Sequence, residues 1–345
     1  AELLLQERTP RNVTVAHSRT ESLHASNVTD VSQSALRRFD LPNLPIPSTH
    51  LLSNGHYTVM LTSAGSGYSR WNDLSITRWR EDSTSDMWGS YIFLYDTESK
   101  ESWSTGFQPS GIKPDHYEVT FAEDRAKITR KDGDIVTDLE IIVSPVDSGE
   151  IRRVSLKNTG MKAREIEVTS YSEIVLAPQA ADVMHPAFSN LFVQTEYVNE
   201  VSGLLATRRT RSSNENPIWM AHVIAVDGEV NPSIEYETDR VRFLGRGYSI
   251  RKAISIVEGQ PLSNTVGAVL DPIVSLRTRI YIPPGATKHI TFSTIVANSR
   301  EEIIDLADKY HDPSTFQRIS TLAWTHAQVQ LHYLGIDSME ANFFQ

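Results

Sequence analysis

The sequence predicts an all-β protein: a large antiparallel sandwich, followed by C-terminal linker helices. Three observations carry this. From His50 to about Asn298 the apolar residues recur with period two, and β-branched and aromatic side chains fill those runs. Gly, Pro, Asn and Asp bound the runs at short intervals. After Asn298 the period lengthens to that of a helix. So many closely spaced strands, with almost no helical spacing between them, exclude the alternation that a parallel sheet requires.

Taken in order, residues 1–48 begin with Leu3, Leu4 and Leu5, turn polar through Ser18, Ser22, Ser26, Ser32 and Ser34, and close on LPNLPIPSTH. Pro42, Pro45 and Pro47 hold that end extended and forbid helix, so the segment reads as an extended linker. The sandwich domain is expected over residues 49–298. Its predicted strands are Tyr57 to Thr62, Tyr91 to Tyr95, His116 to Phe121, Lys127 to Arg130, Ile135 to Val143, Ile151 to Asn158 and Arg164 to Tyr171. Leu191 to Tyr197, Trp219 to Val226, Val274 to Ile282 and His289 to Ile295 continue the series. Two phrases read as hairpins: IRRVSLKNTGMKAREIEVTSY, turning at Asn158-Thr159-Gly160, and LRTRIYIPPGATKHITFSTIV, turning at Pro283-Pro284-Gly285. Pro followed by Gly supplies the fixed φ and the positive φ of a type II turn.

Residues 299–345 are predicted as a helical linker. Ser299 with Glu302 three positions on forms a capping box ahead of Ile303, Leu306 and Ala307. A second helix runs from Phe316 to Tyr333 and is stopped by Gly335. Between the strands, VLAPQAADVMHPAFSNLFVQTE is too rich in Pro and Ala for a strand, and it carries Gln179, Asp182, His185, Ser189 and Asn190. It reads as a long ordered loop, of the kind that tends to be functional. The start at Ala1 without methionine and the end in ANFFQ suggest a piece of a longer polypeptide.

Composition removes several function classes. The formal net charge of −10 opposes nucleic-acid binding, which depends on basic patches that release counterions. Without cysteine there is no disulfide and no thiolate metal site, which fits a reducing, cytoplasmic compartment, be it for a free protein or for a soluble part cut from a membrane protein. No apolar run reaches the roughly 20 residues that span a bilayer, so this segment is not expected to insert directly. Asn12-Val-Thr14 and Asn27-Val-Thr29 match the glycosylation pattern, which recurs by chance. The 11 histidines do not cluster at ligand spacing, and neither a metal nor a cofactor is expected.

The densest chemistry lies between Tyr57 and Pro109, which holds Trp71, Trp79, Trp88 and Trp103, four of the chain's six tryptophans. Indole rings suit the C–H faces of sugars, although at least two of these are expected to be plain packing. Gly65-Ser66-Gly67 lacks the Lys-Ser/Thr pair of a phosphate loop, and the spacing of a nucleophile elbow is missing too. Arg70, Arg78 and Arg80 read as a solvated, salt-bridged strand face, with recognition of hydroxyls or an anion as the alternative. Acids are plentiful at Glu81, Asp82, Asp86, Asp115, Glu118, Glu173 and Asp182. No pair stands out as the opposed carboxyls of glycoside chemistry, so no catalytic residue is assigned.

Taken together, NGHYTVMLTSAGSGYSRWNDLSITRWRED, WGSYIFLYD, WSTGFQPSG, YEVTFAEDRAKITR, HPAFSNLFVQTE, LGRGYSI, VGAVLDPI and LAWTHAQVQLHYLGI are diagnostic. The chain resembles the N-terminal β domain of glycoside hydrolase family 94, formerly glycosyltransferase family 36, and is most similar to the phosphorylase-like part of cyclic β-1,2-glucan synthases. The resemblance implies a supersandwich, a helical linker and then an (α/α)6 barrel that carries the catalytic aspartate, lying beyond this chain. It also implies inverting phosphorolysis by the complete enzyme. Loops of the sandwich would wall the active site, in some dimers that of the partner subunit, and Ala64 to Trp71 matches that role. Gly65, Ser66, Gly67, Tyr68, Arg70 and Trp71 are therefore candidate sugar contacts, joined by Arg78 and Trp88 from the tryptophan and arginine pattern. The reading is a non-catalytic scaffold whose partners are a β-glucan or gluco-oligosaccharide, the barrel of the same polypeptide, and a second copy in a homodimer. Its rivals are a self-sufficient enzyme using Asp86 or Asp115, and a structural module without a sugar site.

Overall fold

The structure, a computed structural model, describes residues 36–341 apart from 43, 45, 47, 83, 211–215 and 230–231. In chain order its first strands are β1 (Arg37–Phe39), β2 (Thr49–Ser53), β3 (Tyr57–Thr62), β4 (Gly67–Trp71), β5 (Leu74–Thr77) and β6 (Tyr91–Asp96). Then come β7 (Ser102–Ser104), β8 (His116–Phe121), β9 (Ala126–Asp132), β10 (Ile135–Val143), β11 (Gly149–Asn158) and β12 (Arg164–Pro178). Two short helices follow, α1 (Gln179–Met184) and α2 (Pro186–Asn190), before β13 (Val193–Val198), β14 (Gly203–Arg208), β15 (Ile218–Val226) and β16 (Ile234–Asp239). The chain continues through α3 (Arg240–Leu244), α4 (Ile254–Val257), β17 (Pro272–Ile282), β18 (Thr287–Ala297), α5 (Arg300–His311), α6 (Thr315–Leu334) and α7 (Ser338–Ala341).

The strands form two nine-stranded antiparallel sheets. The first is ordered β1-β8-β9-β10-β11-β18-β15-β14-β13. The second runs β16-β17-β12-β5-β4-β3-β2, with β6 and β7 branching from β12. The spine of the second sheet is β12, whose 15 residues pair with β17 along one edge and with β6 and then β5 along the other. An all-β sandwich with C-terminal helices is thus what the sequence folds into.

The two predicted hairpins are a correction. β11 and β12 lie in different sheets, and so do β17 and β18. Both connections are arches over one end of the sandwich, because each flanking strand buries its apolar face toward the opposite sheet. Gly285 adopts φ +72°, as a Pro-Gly turn requires. Asn158 ties the arches together: its N–H donates to the Ala286 carbonyl at 3.0 Å, its carbonyl accepts from Gly285 N–H at 2.9 Å, and its amide donates to the Ile282 carbonyl at 3.0 Å. A second correction concerns 176–190, which is the end of β12 followed by α1 and α2 and not a loop. Residues 1–35, including Leu3 to Leu5 and both glycosylation patterns, lie outside the described residues. In the segment read as linker, Arg37–Phe39 pairs with β8 as an edge strand.

Apolar surface is buried in three places. Val59, Leu94, Val154, Val168, Leu276 and Phe292 belong to the main core between the sheets. On the outer face of the first sheet, Ile151, Val223 and Ile295 are covered by Ile303, Tyr310 and Ile319 of α5 and α6. On the outer face of the second, Phe93, Tyr171 and Ile273 are covered by residues 243–262 around α3 and α4. The strands beneath these outer layers are buried on both faces, which is why β15 reads as a near-continuous apolar run, while β12, almost as fully buried, carries polar residues among its apolar ones.

The inter-sheet core is not wholly apolar. Glu150, 1% exposed, pairs with Arg152 at 2.7 Å and accepts from Tyr57 at 3.2 Å and from Ser69. His222 nearby shares hydrogen bonds of 2.9 Å with Ser170 and with Thr294. Burial and the neighbouring Arg152 cation pull the His222 pKa from 6.5 down to about 3. The unfolded chain therefore binds this proton more readily between those values, and the contribution of neutral His222 is full above pH 6.5 and lost as the pH falls toward 3. His50 behaves alike, pulled to about 4 by burial and Arg37. Urea unfolding followed from pH 7 to pH 4.5 is expected to lose about 2–3 kcal/mol through His222. His222→Gln should flatten that part of the profile; an unchanged slope would refute a neutral buried imidazole.

Candidate functional site

The candidate residues are set by the β3–β4 hairpin and by what packs on it. Gly67 is obligatory where the chain enters β4, because a Cβ there would meet the Met60 carbonyl oxygen at 1.9 Å. Its N–H donates to the Trp88 carbonyl at 2.9 Å, and Ser66 Oγ donates to the Asp86 carbonyl. Tyr91 Oη donates to the same carbonyl at 3.1 Å. The turn Gly65-Ser66-Gly67 is therefore buried beneath the segment running from Asp86 to Trp88.

Alternation along β4 then separates its side chains. Ser69 faces the inter-sheet core, reaching Glu150, and Trp71 packs on that core with Nε1 donating to Ser148 Oγ at 3.0 Å. Tyr68 and Arg70 share the other face. The Arg70 guanidinium lies 4.6 Å over the Tyr68 ring and donates to Gln179 Oε1 of α1. Trp79 meets Tyr68 edge to face at 5.6 Å. Arg80 reaches from the Trp88 ring, at 5.7 Å, to Asp182 at 3.6 Å.

Gln179 and Asp182, three apart on α1, share a helix face and join this cluster to a buried ionic one. Arg78, expected on a solvated strand face, is only 5% exposed. It bonds Glu173 at 2.8 Å, Asp182 at 3.0 Å, Asp271 at 3.3 Å and the Asn190 side chain at 2.7 Å. Arg240 makes the second bracket, to Glu173 at 2.8 Å and Asp271 at 3.2 Å. Burial works against the charge of Arg78, but the hydrogen bonds to Asp182 and the field of Glu173 outweigh it and hold its pKa above the usual value. Asp271 is pushed up by burial and by Glu173, against the pull of Arg240 and Arg78.

Of the eight candidates, Tyr68, Arg70, Arg78 and Trp88 are thus gathered around α1, Gly65 to Gly67 form the buried turn, and Trp71 points to the opposite face. Trp103, at 5% exposure, is the one buried residue of the four tryptophans in this stretch. Arg240 and Asp271 escaped sequence reading because nothing in their local pattern distinguishes them. Asn190 was visible only as a polar position in an odd phrase, and Asp182 there and as one of several acids. Glu173 and Asp182, among the acids considered, are committed to arginine. Asp86 is half-buried, which raises its pKa, and Asp115 is exposed and accepts from Gly133 N–H at 2.8 Å. Among the described residues no three His, Asp or Glu side chains are arranged to hold a metal, and no helix is long and apolar enough to cross a membrane.

The profile of the glycosyl hydrolase 94 supersandwich domain matches residues 32–313. The chain belongs to that family. A relative within reach is the cyclic beta-(1,2)-glucan synthase NdvB of Rhizobium meliloti (strain 1021), 40% identical over 346 residues, covering 100% of this chain and 12% of that protein. The N,N'-diacetylchitobiose phosphorylase of Vibrio furnissii is 24% identical over 278 residues, covering 79% of this chain and 33% of its own. The supersandwich chain therefore spans a minor part of the relatives it matches. Among solved structures, a bacterial glucoamylase complexed with acarbose aligns over 85% of this chain and 40% of its own, at 9% identity and a TM-score of 0.47.

Replacing Arg78 leaves three carboxylates short of a cation in a partly dehydrated site. Arg78→Met is expected to lower the unfolding free energy by about 3–5 kcal/mol, the range for breaking a buried pair from one side. A urea midpoint within error of the parent chain would remove Arg78 from this role.

Proposed function

We propose that this chain is the non-catalytic supersandwich of a β-glucan-processing enzyme, of the cyclic β-1,2-glucan synthase or β-glucan phosphorylase kind. Family membership and the names of the relatives support the class. The observation that carries the carbohydrate part is the outward cluster of Tyr68, Trp79 and Arg70 on Gln179, with Trp88 and Arg80 beside it. Aromatic faces flanked by guanidinium and amide donors match alternating C–H and hydroxyl surfaces of a pyranose. In this reading Gly65, Ser66, Gly67 and Arg78 fix the frame, and Tyr68, Arg70 and Trp88 touch sugar. Trp71 holds β4 from behind.

Residues 1–48 are assigned as lead-in, 49–298 as sandwich and 299–345 as linker to a catalytic barrel in the same polypeptide. Leu322, Val329 and Tyr333 support the last assignment: they are 39%, 60% and 88% exposed and share one flank of α6. Val183, Met184 and Phe188, exposed on α1 and α2, form an apolar shoulder suited to a second copy. Catalysis, phosphate use and glucan length belong to the longer polypeptide.

Calorimetric titration of the 345-residue chain with β-1,2-gluco-oligosaccharides is the direct test. Arg70→Ala and Tyr68→Ala are each expected to weaken binding about tenfold, near 1.4 kcal/mol. Binding that ignores both substitutions would sink the assignment, and glucose release by the chain alone would favour the self-sufficient enzyme. In the longer polypeptide, amide exchange across residues 322–333 should slow at least about tenfold relative to this chain; equal rates would move the barrel contact elsewhere.

A further inference from the structure

A cavity of about 300 Å³ opens on the outer face of the second sheet, away from the α1 cluster, between β6–β7 and the segment that carries α4. Phe93, Trp103, Tyr248 and Ile256 give it apolar walls. Arg251 and Lys252 stand at its edge, both exposed, and no carboxylate lines it. The Arg251 guanidinium sits over Gly111, 3.8 Å from where a Cβ would lie. Among the described residues the Arg251 and Lys252 side chains have no ion-pair partner. In a chain of formal net charge −10, that leaves a local cationic rim on an apolar pocket.

From this we infer a binding site for a small amphipathic anion, with an apolar body of one or two rings and a single carboxylate, sulfonate or phosphate head. The volume lies at the lower end of pockets that hold small ligands. A neutral sugar is the poorer fit, because each hydroxyl needs a partner. The neutral polar side chains on its lining are Ser102, Ser110, Tyr248 and Trp103, too few for a hydroxyl-covered ring, and Ser110 is already bonded to Ser104 at 2.8 Å. Beyond Trp103 and Ile112 an adjoining groove sets the carboxylates of Glu101, Asp115, Asp132 and Asp134 against the cations of Lys100, Lys113 and Arg164, whereas the rim at Arg251 and Lys252 carries positive charge alone, so the head lies against Arg251 and Lys252 and the rings against Trp103 and Phe93.

The probe is 8-anilinonaphthalene-1-sulfonate, titrated against the whole chain by fluorescence and calorimetry, with N-phenyl-1-naphthylamine as the same ring system lacking the sulfonate. A single saturable site is expected for the sulfonate. The paired substitution Arg251→Ala and Lys252→Ala should weaken it by about five- to tenfold, as two exposed charge contacts allow. It should leave the neutral probe unchanged. Both side chains are exposed, so folding should survive, and an unaltered melting temperature checks this. Ile112→Trp at the rim should block both probes. Sulfonate binding that is insensitive to the paired substitution, or that persists undiminished in Ile112→Trp, would overturn the site and point to the exposed apolar surface of α6 instead.

Discussion

The pairing of Arg78 and Arg240 with Glu173, Asp182 and Asp271 is the interaction on which the outer face of the second sheet depends. Each participant comes from a different place: β5's end, α3, the middle of β12, α1, and the turn before β17. Moving such charges out of water costs several kcal/mol apiece, and the cost is offset only if geometry and hydrogen bonds are nearly complete. Here Asn190 and Tyr171 supply the remaining bonds. Five segments, of which β12, α3 and β17 also share an apolar cluster, are thereby held in one arrangement, and α1, carrying Gln179, is presented to Arg70 over β4.

The interior repeats this logic on the other face. Glu150 and Arg152 sit where a sandwich ordinarily places Leu or Val, with Tyr57, Ser69, His222 and Thr294 around them. Ser69 and Tyr68 are neighbours on β4, one facing the interior network and the other the outer cluster. The strand is consequently fixed from both sides by polar contacts, which are directional in a way that apolar packing is not.

Strand positions were legible wherever one face is buried and the other is not. His116–Phe121 and Ile135–Val143 coincide with the reading residue for residue, since alternate burial is what period two records, and Tyr57–Thr62 coincides as a β-branched and apolar run that is buried almost throughout. β4 and β5 were missed because GYSRW and LSIT are short and their burial is set by neighbouring polar groups. The arches were read as hairpins because a Pro-Gly turn reports local φ, not which sheet receives the next strand. α1 and α2 left little signal: neither has a side-chain cap, and each is at most six residues long. For the candidate site, sequence reached the residues adjacent in the chain and stopped where β12, α1 and the turn at Asp271 converge from far apart.

The Asn158 junction bears on how this domain tolerates change. Three hydrogen bonds cross between the arches through Asn158, so adding or deleting one residue in either would misplace a donor and an acceptor in its neighbour. Length polymorphism, which surface connections normally absorb freely, is therefore confined in this region to paired events, while the rim at the far end of the sheets is left as the place where insertions can accumulate.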